Sequence, residues 1–255
     1  MQNFIDFEKL DPMFKQIVEA IVKAVGPDIR DFLSENTDET HNAIRLIRGD
    51  KINSNLKNYV VSDTIELHRF TRHAWEGRIL VDREHKVTIS VLTKQTFEGI
   101  MRKEHKSPHY LMSIAHIENS DVSVESEQLS LFSLEGELTN DDYCKDFETI
   151  MGDEVGSEDG YHHLVVVYET EKSVVTSISV RLVDKNLITS KEYPLEKFLK
   201  PDLNDLTFEP EEIVDKSEND VRRLIGVKVQ KEEEKKTPKQ EILVTLKEKK
   251  GEDRA

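Results

Sequence analysis

The sequence predicts an α+β protein with a helical N-terminal region, a small mixed or antiparallel sheet, an acidic flexible insertion and a charged C-terminal tail. Three observations carry this expectation. Apolar residues repeat at helical spacing between Phe14 and Val25, three β-forming segments follow one another between Tyr59 and Leu92, and two more lie together after residue 160. Strands that cluster in the chain, instead of alternating with helices, separate this plan from a series of β-α-β units. At 255 residues the chain has room for one large domain or two small ones.

Asp11-Pro12 can cap and open a helix in which Phe14, Ile17, Val18, Ile21, Val22 and Val25 share a face, and Gly26-Pro27 stops it. Residues 27–33 form a further short turn of helix. Thr37 precedes a segment with Ala43, Ile44 and Ile47 on one side, which Gly49 closes, and residues 51–57 form a third short helix. The period then changes. Val61, Ile65 and Leu67 mark a first strand, residues 78–81 a second and Val87 to Leu92 a third, with the polar run 82–86 as the turn between the last two. Phe97, Ile100 and Met101 return to helical spacing, whereas residues 109–118, with Leu111, Met112, Ile114 and Ile117, read as strand. A hairpin follows, 163–168 against 173–183, and then a short helix from Pro194 to Phe198.

Only 36% of the residues are apolar and 34% are charged, with a formal net charge of −15. Such a balance leaves some segments solvated and disordered. The charge is local: residues 119–160 hold thirteen Asp and Glu against Lys145 alone, whereas the tail, residues 209–255, has thirteen acidic and twelve basic residues. The expected organisation is therefore one α+β body of residues 1–118 and 161–208, a flexible acidic insertion at 119–160, and a solvated tail at 209–255. Within that tail, residues 222–230 and 241–247 alternate apolar with charged and suit an edge hairpin. No apolar run is long enough for a membrane span, the acidic N-terminus does not read as a secretory signal, and a lone Cys144 allows neither an internal disulfide nor a thiolate zinc cage. A cytoplasmic setting with no membrane partner is the expectation.

Inside the acidic block stands Gln128-Leu129-Ser130-Leu131-Phe132. Its residues suit a docking peptide. Leu131 and Phe132 are large enough to fill preformed apolar pockets, Leu129 adds a third contact, the Gln128 amide can fix register at a pocket mouth, and small Ser130 leaves room on the other side. Polar flanks let such a segment enter a groove without dismantling a fold. The pentapeptide resembles the motif by which bacterial polymerases, mismatch-repair proteins and replication regulators attach to the DNA sliding clamp, and it matches that motif at all five positions. The resemblance implies a bacterial sliding clamp as partner and a binding role in replication, repair or phage and mobile-element conflict. The same four apolar residues, Leu129, Leu131, Phe132 and Leu134, could instead form an amphipathic element packed on the body.

The order of helix, three strands, helix and strand also resembles the core of restriction-endonuclease-type nucleases. That likeness implies a magnesium site with an acid on the second strand and an acid-x-Lys on the third. Leu92-Thr93-Lys94 supplies the Lys but not the acid, and the hairpin register places Glu76 opposite Thr93 or Lys94, so Glu76 and Lys94 form the alternative catalytic pair. Either an active nuclease or a silent relative satisfies these residues, as does an ordinary cross-strand ion pair. A helix-turn-helix bent at Gly49-Asp50 would present Arg45, Arg48, Lys51 and Lys57 to DNA, with Asn53 and Asn55 as base-edge readers. No excess of basic charge surrounds it. A third class of function is an acidic protein that occupies the basic site of a nucleic-acid-binding partner. The histidines have no metal-ligand spacing, and the sequence carries no Gly-rich phosphate loop and no nucleophile elbow. No resident cofactor is expected.

Overall fold

The computed structural model describes residues 5–37, 39–72, 74–103, 107–124 and 138–199. They belong to the first of two compact units, residues 1–203; the second, 204–255, and with it the expected edge hairpin of the tail, lies outside the described residues.

A 3-10 turn, Phe7–Leu10, leads into α1 (Asp11–Val25), and the cap falls one step earlier than the sequence suggests: Asp6 accepts from Glu8 N, while Asp11 and Pro12 are the first two residues of α1. Phe14, Ile17, Val18 and Ile21 are fully buried, each contributing about 1.5–3 kcal/mol by leaving water. α2 (Pro27–Glu35) follows directly, and α3 (Ile44–Tyr59) lies against α1. The expected bend at Gly49-Asp50 is absent. α3 runs unbroken through Gly49, because one glycine costs a helix only about 1 kcal/mol while Ile52, Asn55 and Leu56 bury a face.

The six strands, β1 (Ile65–Arg72), β2 (Trp75–Asp82), β3 (Val87–Thr93), β4 (His162–Glu171), β5 (Val174–Val183) and β6 (Thr189–Pro194), lie in sequence order in one sheet. All neighbours are antiparallel except β3 and β4. β1 and β2 pair along their whole length, whereas β2 and β3 pair only from Leu80↔Ile89 to Asp82↔Val87 and then separate. Lys172 and Ser173 make the turn between β4 and β5 with φ of 46° and 65°, the left-handed geometry that a two-residue hairpin loop needs.

Three helices fill the crossover between β3 and β4: α4 (Lys94–Arg102), α5 (Tyr110–Glu118) and α6 (Asn140–Met151). Two of them correct the sequence reading. The segment expected as a strand is α5, whose buried Leu111, Ile114, Ala115 and Glu118 recur at helical spacing; the carboxylate in the fourth place hides the stripe. α6 lies within the acidic block, opened by a capping box between Thr139 and Asp142 and packed through Phe147, Ile150 and Met151. β6 was not expected either, because an edge strand reading Thr-Ser-Lys-Glu-Tyr-Pro carries its protection against pairing in its own polar residues and proline.

Each face of the sheet meets its own helices. Leu80, Ile89, Leu164, Val166 and Val180 pack with α1 and α3, whereas Ile79, Val81, Val165, Val167 and Val183 pack with α4, α5 and α6. β4 therefore alternates between two cores, which explains why Leu164 to Val167 is continuously apolar.

Candidate functional site

The pentapeptide Gln128 to Phe132 lies outside the described residues, in the connection between α5 and α6. Both ends of that connection are fixed. At one, the Asn119 amide donates to His163 O (2.9 Å) and Val183 O (2.8 Å) while its oxygen accepts from His163 N (2.8 Å). At the other, Thr139 caps α6.

Glu76 and Lys94 are not brought together. Glu76 receives Arg69 and Arg78, the first by a very short hydrogen bond, and these partners hold its carboxyl below the usual range. Lys94 opens α4 and pairs with Glu169 of β4 at 2.6 Å, which raises its ammonium pKa. The separation of β2 from β3 beyond Leu80 takes the two residues to different partners. Among the described residues no three His, Cys, Asp or Glu side chains come together as a metal site.

The basic row also changes character once α3 is straight. Arg45 and Lys57 are exposed, but Arg48 has a buried Nε and lies close enough to Tyr168 to act on its hydroxyl electrostatically, and Lys51 is half-buried. Asn55 reads no base edge: its amide donates to Ala20 O and Asp28 Oδ2, tying α3 to α1 and α2. His162 and His163 point to opposite sides, as the start of a strand requires; His162 approaches Asp121 and His163 is fully buried.

A groove of about 490 Å³ opens where β1 ends and β2, α4 and α5 begin. Its walls include Arg72, Trp75, Leu92, Thr96, His109 and Tyr110. Trp75 is 48% exposed, yet its ring is held: edge-on to Phe70 at 5.5 Å and tilted on Tyr110 at 5.4 Å. Gly77 makes this possible, since a Cβ there would stand 2.2 Å from Phe70 Cζ and 2.8 Å from Trp75 Cη2. Arg72 donates to Pro108 O and Asp146 Oδ1, and Ser113 Oγ reaches the other oxygen of Asp146, so the end of β1 is bolted to α5 and α6. Sequence reasoning passed over this site because Trp75, Thr96 and Tyr110 share no spacing. The lone tryptophan at a strand start was the available signal.

Beneath the far end of α5 lies a buried polar cluster. Thr88 Oγ1 donates to Glu118 Oε2 by a very short bond and meets His163 Nδ1 at 2.7 Å. Burial pushes the Glu118 carboxyl up to about 8 against the opposing Thr88 bond, and burial lowers His163 to about 3. Glu118 Oε1 and His163 Nε2 have no protein partner.

These features define an α+β protein whose mixed sheet carries helices on both faces, with an aromatic groove at one end of α5 and the acidic connection at the other; among the described residues no helix is long and apolar enough to cross a membrane. Residues 8–246 match a family of unknown function, DUF5986, and the chain belongs to that family. No curated protein and no solved structure matches it.

Proposed function

We propose that this protein acts by binding and docks to a bacterial DNA sliding clamp through Gln128 to Phe132. The observation that carries the reading is the pentapeptide itself, complete at five positions and set among carboxylates. Its place in the chain supports it. The connection between α5 and α6 begins at Asn119, which bonds to β4 and β5, and ends at Thr139, which caps α6, so a peptide between them is tethered at two points. Tethering cuts the entropy lost on docking relative to a free peptide. The engagement of Glu76 by two arginines and of Lys94 by Glu169 gives no comparable support to hydrolysis at that pair. Bound to a clamp, the protein would carry its body to replicating DNA or deny the same groove to other clients.

Leu131→Ala with Phe132→Ala in the full chain should weaken binding to a purified bacterial clamp by about thirtyfold or more, the usual weight of two buried anchors, and leave the unfolding temperature unchanged. Equal loss of binding and stability would make the segment part of the core. A complex that instead collapses steeply with salt would point to the acidic block occupying a basic site.

A further inference from the structure

We propose that the pocket at the C-terminal end of α5 binds a primary alkylammonium ion, with its N–H groups on the carboxylates of Glu118, Asp121 and Glu158. The pocket, of about 160 Å³, lies between the residues that close α5 and the turn that precedes β4, and its walls also include Ile117, Tyr161 and His162. Two independent observations select the ligand. One is a buried acceptor with nothing to accept: the Glu118 side chain is 2% exposed, Oε2 meets Thr88, and Oε1 has no partner among the described residues. Such an oxygen is costly unless a donor reaches it, and an ammonium brings three donors and a positive charge. The other is negative charge that the ion pairs leave standing. Three acids and neither Lys nor Arg line the space. Asp121 has the His162 imidazole at 3.2 Å, Glu158 has no ion pair among the described residues, and His163, 3.8 Å from Glu118, is kept neutral by burial. Lys86 is spent outside the pocket, over the Tyr161 ring at 4.8 Å and on Asp159 O. The negative end of the α5 dipole adds to the same field. Ile117 and Tyr161 give a short alkyl chain something to lie against, and the volume admits little more. A metal ion fits less well, because among the described residues no three carboxylate or imidazole ligands converge. A free amine and the lysine side chain of another protein carry the same group. The inference does not depend on clamp docking, since variants of this pocket leave the pentapeptide intact.

The ammonium needs Glu118 as a carboxylate, whereas in the free protein burial keeps that acid protonated up to about 8. Binding should therefore release about one proton at pH 7, and affinity should rise about tenfold per pH unit until about pH 8 and then level. Titration of the full chain with n-butylammonium, by calorimetry in two buffers of different ionisation heat, reads both quantities. Glu118→Gln matches the neutral acid in shape and so preserves folding, but it should abolish the proton release and, above pH 8, weaken binding by about tenfold or more. The other titratable groups of the wall, Asp121, Glu158, Tyr161 and His162, remain in that variant, so the difference belongs to Glu118. Glu158→Gln, in an exposed turn, should weaken binding about threefold and keep the proton release. Tighter binding of Nα-acetyl-lysine amide than of butylammonium assigns the pocket to a lysine side chain, and the reverse assigns it to a free amine. No saturable heat, proton release that survives Glu118→Gln, or equal affinity for tetramethylammonium, which has no N–H, would overturn the proposal. Tighter binding of calcium would overturn it in favour of a metal site.

Discussion

Thr88 has one hydroxyl proton and two buried neighbours that could use it. When the Glu118 carboxylate accepts that proton, His163 donates from Nδ1; when Glu118 is protonated and donates to Thr88, the hydroxyl passes its own proton to His163 Nδ1, so the tautomer follows the protonation of Glu118. The two titrating groups pull stability in opposite directions. The folded chain keeps the Glu118 proton up to about pH 8 where an unfolded chain releases it near its ordinary value of 4.5, so stability falls as pH rises through that interval. His163 stays neutral down to about 3 instead of its ordinary 6.5, so stability rises with pH between those values. The pair therefore favours a plateau between about 4.5 and 6.5, with losses on both sides. Glu118→Gln should remove the loss between about pH 6.5 and 8 and leave the acid limb in place, as read from urea unfolding across pH. A parallel shift of the whole curve would assign Glu118 a purely steric role. None of this was legible in the sequence, where Glu118 is one acid among many and only the fold buries it.

At the scale of elements, helices with a clean apolar stripe were readable and those interrupted by a functional or polar position were not. α1 has its stripe in full, and its limits follow from Pro12 and from Gly26-Pro27. α5 presents Glu118 where a fourth apolar residue belongs, and α6 spends its first turn on carboxylates, although Thr139 and Asp142 announce its start. Gly49 misled in the other direction, because a glycine in a polar window looks like a boundary when tertiary packing carries the helix through it. Nothing lies within 4 Å of a Cβ built on Gly49. Gly49→Ala should therefore raise stability by about 1 kcal/mol with an unchanged denaturant slope. A bend at this residue would give a loss instead.

Over the whole molecule, the sheet joins two sets of strands, β1–β3 and β4–β6, along the parallel pairing of β3 with β4. Each set is a local meander; the sequence announces the β2–β3 and β4–β5 hairpins through alternation and turn residues, but not β6. The parallel seam was not legible, since nothing in the sequence pairs β3 with residues 162–171, and residues 109–118, expected as a strand, hold α5. Asn119, at the end of α5, ties the crossover to the strands on one side of that seam, reaching β4 and β5 at once. Asn119→Ala leaves three buried backbone groups without their partner and should cost about 3 kcal/mol or more in chemical unfolding. A loss below about 1 kcal/mol would mean that water replaces the amide.

The order of the strands has a kinetic side. Adjacent in space, β3 and β4 are separated in the chain by residues 94–161, so the middle of the sheet has the longest loop to close and sets the pace at which the native topology assembles. The proposed docking peptide lies inside that same loop. A partner that seized it after folding would restrain the chain whose release must accompany rupture of the seam, lengthening the lifetime of the sheet without touching a single strand.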